Sequence, residues 1–146
     1  MLTIRLWYFE ILDLLPDLQL LAQKREVDLI WKDIKQGKKT NHILINYIWE
    51  YKDFVDRIKS YYILLEKAFD KRGFKFKNNC FEFGKAYTIY DNPFPMHHND
   101  RYLLQNFMNL QEKFDRHQKG FTREQYINLR EFVEQYAGID LTYLGC

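Results

Sequence analysis

Apolar residues recur at helical spacing along most of this chain, and that period restricts its fold more than any other feature. From about Asp53 to Arg72, Phe54, Val55, Ile58, Tyr62, Leu65 and Phe69 fall on one side of a helix, and Gly73 ends the run. An earlier segment runs from about Pro16 to Gln36. Pro16 suits a first helical position, Asp17 puts negative charge near the N-terminus, and Gly37-Lys38-Lys39 makes a stop. A third helix is predicted from about Asp100 to Gln118, capped by Asn99 or Asp100, with Tyr102, Leu103, Phe107, Leu110 and Phe114 on one face. A fourth starts at Thr122, which has capping-box spacing to Gln125, and runs to Ala137 before Gly138.

Between the first two helices, His42 to Tyr51 is apolar and aromatic, and periodicity leaves a short helix and buried extended chain both open. Residues 74–96 read as irregular. The alternation Phe74-Lys75-Phe76-Lys77 allows a short strand, while Asn78-Asn79 and Asn92-Pro93 punctuate the segment into loop. No repeat and no interdomain linker is visible. The expected fold is all-α: one compact domain over residues 1–146, of about four helices with an irregular middle. With 11 Tyr, 12 Phe and 3 Trp the chain can fill a large core, which excludes general disorder.

Several function classes drop out. No apolar run approaches the ~20 residues of a membrane span. The opening residues carry Arg5, Glu10 and Asp13 and no small-residue cleavage site, so a secretory signal is not expected. Cys80 and Cys146 lack metal spacing, and a reducing, cytoplasmic compartment is the expectation. His97-His98 has no third ligand at metal spacing. Nucleophile triads, Gly-rich phosphate loops and HExxH are absent, so neither metal nor cofactor is expected.

The net charge of +2 conceals an asymmetry. Residues 1–80 hold 15 Lys/Arg against 11 Asp/Glu, and residues 81–146 hold 7 against 9. One cluster is Lys35, Lys38 and Lys39; a second is Lys71, Arg72, Lys75 and Lys77, interleaved with Phe74 and Phe76. Basic residues among aromatics suit phosphate contact with base stacking, and ordinary charged helix ends explain each cluster equally well. On a wheel of the first helix, Leu14, Ala22, Arg25 and Leu29 lie within about 40° of Leu18, with Leu21 at the edge and Glu26 on the flank. Arg25 thus occupies an apolar stripe. An arginine there snorkels to the edge, forms a structural salt bridge, or faces a cleft holding an anion and a carboxylate.

Asp17-Leu18-Gln19-Leu20-Leu21-Ala22-Gln23-Lys24-Arg25-Glu26 resembles the Asp-Gln-His-Leu-x-Ala-Glu-x-Arg-Glu signature of the pyrimidine-dimer DNA glycosylases, the phage endonuclease V family. Arg5-Leu6-Trp7 is similar to the opening of that family's bacterial branch, as are Leu15-Pro16, Leu20-Leu21, Gly37-Lys38-Lys39, Asn46-Tyr47, Lys71-Arg72-Gly73-Phe74 and His98-Asn99-Asp100-Arg101-Tyr102-Leu103. These features keep the family's order over roughly residues 5–110. Residues 111–146 form a helical part outside the resemblance.

The resemblance implies an all-α DNA glycosylase and AP lyase that flips a damaged or modified base out of double-stranded DNA. An amine attacks C1′, a Schiff base forms, and β-elimination cuts the backbone. It assigns the catalytic acid to Glu26 and phosphate contacts to Arg25 and Arg5, with Lys38, Lys39, Lys71, Arg72 and Lys75 as further DNA-binding residues. No cofactor, membrane or obligatory protein partner is implied. The family's amine is an α-amino group just before the early arginine, where this chain has the peptide nitrogen of Ile4. The Met1 α-amine leads as nucleophile because its ordinary pKa is ~8, with Lys24 the rival. The family's signature His is Gln19 here, and a further arginine position is Leu29. A non-catalytic nucleic-acid-binding descendant and a helical protein-interaction domain are the alternatives.

Overall fold

The structure is a computed structural model and describes residues 4–80 and 87–144. Four α-helices carry it: α1 (Asp17–Lys35), α2 (Phe54–Lys71), α3 (Asp100–Asp115) and α4 (Arg123–Ala137). Each falls within a few residues of its predicted span, and no strand occurs among the described residues. Asn99 caps α3 by accepting from the Tyr102 amide. Thr122 and Gln125 form the full capping box of α4, which ends at Gly138 with φ of 68°. His42 to Tyr51 resolves into a 3-10 helix over Asn46–Glu50, and a further 3-10 helix spans Phe9–Leu14. Residues 74–79 are not a strand; they run beside α2, where Phe76 packs on Tyr62 and Phe69 at 5.0 and 5.1 Å between ring centroids.

α1 corrects the predicted stripe. Its buried side is Gln19, Leu20, Gln23, Val27, Ile30 and Trp31. Leu18, Leu21 and Leu29 are 54%, 38% and 44% exposed, and Arg25 is exposed beside them. The buried face is turned by about 150° from the apolar stripe on the wheel. The physical reason lies in two glutamines whose hydrogen bonds let polar side chains occupy core positions.

Those bonds follow from how the N-terminal segment is placed. Ile4, Leu6, Trp7 and Tyr8 are all buried, yet residues 4–8 form neither helix nor sheet. A buried backbone without regular partners must find side chains to bond. Three helices supply them. Gln23 of α1 accepts from the Trp7 amide at 2.7 Å and donates to the Arg5 carbonyl at 2.8 Å. Tyr61 of α2 donates to the Trp7 carbonyl at 2.7 Å. From α3, Asn106 accepts from the Tyr8 amide at 2.7 Å, and the Tyr102 hydroxyl donates to the Leu6 carbonyl. Residues 5–8 are thereby fixed along α1, and α3 and α4 close the other side, with Phe114 stacked on Tyr126 at 4.3 Å.

Candidate active site

Glu26 sits on the flank of α1, partly buried, where the N-terminal segment crosses the helix. Its Oε2 accepts from the Arg5 backbone amide at 3.2 Å and from Gln23 Nε2 at 3.4 Å. Gln23 is fully buried and is itself held by the Tyr61 hydroxyl at 2.8 Å. The carboxylate therefore stands on a support whose other bonds fix the backbone it faces. Burial pushes the Glu26 carboxyl above its usual range, while the Arg5 amide and the charges of Arg5 and Arg25 pull it partly back. A carboxyl raised by burial holds its proton more readily than an exposed one.

The cleft in front of Glu26 has a volume of about 190 Å³ and is lined by Arg5, Trp7, Leu18, Gln19, Ala22, Glu26 and Lys113. The Arg5 guanidinium lies over the Trp7 ring, 5.1 Å from its centroid. Gln19 and Gln118 exchange two amide hydrogen bonds of 3.0 and 2.7 Å, which tie the first turn of α1 to the chain just after α3. Lys113 comes from α3, and burial together with the Arg5 charge brings its ammonium below the ordinary lysine range. The cleft thus gathers an acid, a guanidinium and an amine from three separate segments.

Of the residues expected to share this site, Glu26 and Arg5 do so. Arg25 stays on the exposed side of α1 and does not line the cleft; it acts on Glu26 through its charge. Lys24 points elsewhere: its Nζ is 2.6 Å from Asp28 Oδ2 and lies over the Tyr62 and Phe76 rings. Met1 and Cys146 lie outside the described residues. Lys38, Lys39 and Lys75 are exposed. Lys71 pairs with Asp13 at 2.6 Å, and Arg72 pairs with Asp17 at 2.8 Å and donates to the Asp13 carbonyl. Leu29 borders a second cleft of about 550 Å³ with Trp31, Lys32 and Lys35.

Sequence reasoning missed Gln23 and Lys113. Gln23 reads as polar and so as outward-facing. Lys113 lies three residues past Leu110 and one before Phe114, on the flank of the α3 face, a weak signal without knowledge of what α3 packs against. His97 and His98 are engaged by Tyr51 and Glu50 and by Tyr47 respectively. Among the described residues no group of three or more His, Cys, Asp or Glu is arranged to hold a metal ion, and no helix is long and apolar enough to cross a membrane.

A family model described as pyrimidine dimer DNA glycosylase matches residues 3–82, more than half of the chain. That span contains the N-terminal segment, α1 with Gln23 and Glu26, and α2. No curated protein and no solved structure matches.

Proposed function

The chain belongs to the pyrimidine dimer DNA glycosylase family, and we propose that it excises damaged or modified bases from double-stranded DNA and then cuts the strand as an AP lyase. The observation that carries this reading is the Glu26 carboxyl, raised by burial and held by Gln23 and the Arg5 amide in a cleft that also holds Arg5 and Lys113.

Each group has a task in that reaction. An amine attacks C1′ of the flipped nucleotide and displaces the base. Glu26 manages the protons: it stabilises the cationic imine as a carboxylate and accepts the C2′ proton that β-elimination requires. Arg5 in the cleft, and Arg25 from the exposed side of α1, contact the phosphates flanking the lesion. The work of such an enzyme is inside the cell, where its substrate is.

The test is incubation with a duplex carrying one cyclobutane pyrimidine dimer, alongside duplexes with one abasic site or no lesion. Cleavage at the lesion, with the undamaged duplex intact, is the expected result. Lesion binding without base release or cleavage would favour a non-catalytic descendant, a reading that Leu29 also suits, since it puts an aliphatic side chain where the resemblance expects an arginine.

A further inference from the structure

We infer that Leu18 and Leu21, on the exposed face of α1, form an apolar wedge that enters the base stack where a lesion has opened it. These two side chains, rather than the basic residues, then distinguish damaged from intact duplex. The inference rests on the glycosylase reading above and deepens it by naming what recognises the lesion.

The placement comes first. Leu18 and Leu21 are both exposed, while the core side of the same helix holds Leu20, Val27, Ile30 and Trp31. Three residues apart, the two leucines are neighbours on the helix surface. A singly exposed leucine is ordinary, but this pair adjoins the site. Leu18 and Ala22 line the cleft together with Glu26 and Arg5. An apolar ridge thus runs along the edge of the cleft that holds the Glu26 carboxyl.

The charges on this face point to its occupant. Within about 40° of Leu18 around the helix, the charged residues are Arg25 and Lys32, both exposed and both cations. A second copy of the chain docked here would set these cations against their own copies, since a two-fold contact pairs each patch with itself. Duplex DNA brings phosphates to them instead.

Intact duplex offers a leucine little. Its outer surface is mostly phosphate, sugar and polar base edges, and its apolar base faces are hidden in the stack. A lesion that weakens pairing lowers the energy needed to open that step. An aliphatic side chain inserted there covers base faces that water would otherwise meet. The contact therefore forms at a damaged step and not elsewhere. It releases no counterions, so it is insensitive to salt, whereas the contacts of Arg25 and Lys32 weaken as salt rises. Leu29 lies outside the wedge: it stands about 16 Å from Leu18 along the helix axis and borders the second cleft.

The test is fluorescence anisotropy of the full chain across a salt series on two duplexes, one intact and one with a single tetrahydrofuran in place of a nucleoside. The tetrahydrofuran leaves a gap in the stack and has no aldehyde for an amine to attack, so binding is read without cleavage. The parent should prefer the tetrahydrofuran duplex. Leu18→Ser combined with Leu21→Ser should reduce that preference about tenfold, with affinity for intact duplex and the salt slope unchanged. Leu18→Ser alone, at the more exposed position, should act in the same direction and guards against a folding defect in the double variant. Leu18→Met, which keeps an apolar side chain of similar reach, and Leu29→Ser should both retain the preference. An unchanged preference in the serine variants, an equal loss on both duplexes, or no preference in the parent overturns the inference. So does a parent dimer in sedimentation that the serine variants dissociate. Cleavage of a dimer-bearing duplex by the parent leaves the glycosylase reading standing in each of these cases, and no cleavage removes that reading separately.

Discussion

Gln23 bonds to the backbone of the N-terminal segment and to Glu26, so stability and chemistry meet in one side chain. Gln23→Leu would strip the Trp7 amide and the Arg5 carbonyl of their partner in a buried setting. Each buried orphan costs roughly 1–3 kcal/mol, so a loss of about 2–5 kcal/mol is expected in urea unfolding. His98 gives a second residue-scale prediction. Burial drops its pKa to about 3, with Nε2 paired to the Tyr47 hydroxyl and Nδ1 without a hydrogen-bond partner among the described residues. An unfolded histidine titrates near ~6.5, so between these values the unfolded chain binds a proton that the native state rejects. Stability therefore falls as pH drops from 6.5 towards 3, by up to about 1.4 kcal/mol per pH unit from this residue. His98→Gln keeps a hydrogen-bonding group for Tyr47 and should give a flatter stability profile between pH 7 and pH 4. That Glu26 and Arg5 stand in one cleft was legible because the resemblance singles out both side chains. Gln23 and Lys113 were not, since their roles depend on what packs against them.

Among the elements, α1 separates what periodicity can and cannot tell. Its existence and ends were readable from Pro16, Asp17 and Gly37, and the capping pair of Thr122 and Gln125 located α4 in the same way. Its orientation was not readable, because it depends on buried glutamines serving an irregular backbone. The consequence is measurable. Leu20→Ala removes a fully buried side chain and should destabilise by roughly 2–5 kcal/mol. Leu29→Ala, at 44% exposure, should stay within about 0.5 kcal/mol of the parent. The wheel places Leu29 in the buried stripe, so equal losses at both sites would restore the orientation the wheel implies.

Across the whole molecule, the basic clusters sit at opposite ends of α1. Arg72 is tied to Asp17 at its start, and Lys38 and Lys39 follow its end. At ~1.5 Å per residue they stand on the order of 30 Å apart, enough for a duplex tract of several base pairs. Lys71 and Arg72 are already occupied by acids, whereas Lys38 and Lys39 are exposed. Replacing Lys38 and Lys39 by Gln should reduce the slope of log affinity against log salt by about 0.9 for each phosphate no longer neutralised. Fluorescence anisotropy across a salt series measures this, and an unchanged slope would make that cluster an ordinary helix end. The all-α plan was legible because each helix carries its own period and stops. The cleft was legible only in part: Arg5 and Glu26 were expected to share it, whereas Lys113 enters from α3 and Arg25 stays out of it, and both depend on how distant segments pack.

The central claim is that the Glu26 carboxyl does chemistry on damaged DNA, and single-turnover cleavage of a lesion-bearing duplex by Glu26→Gln tests it most directly. Glutamine keeps the shape and an acceptor for the Arg5 amide but cannot exchange a proton as the carboxyl does. The account predicts a rate lower by about 10²–10⁴, the usual contribution of a positioned acid–base group, with lesion affinity within a few-fold of the parent. Cleavage at the parent rate would contradict it.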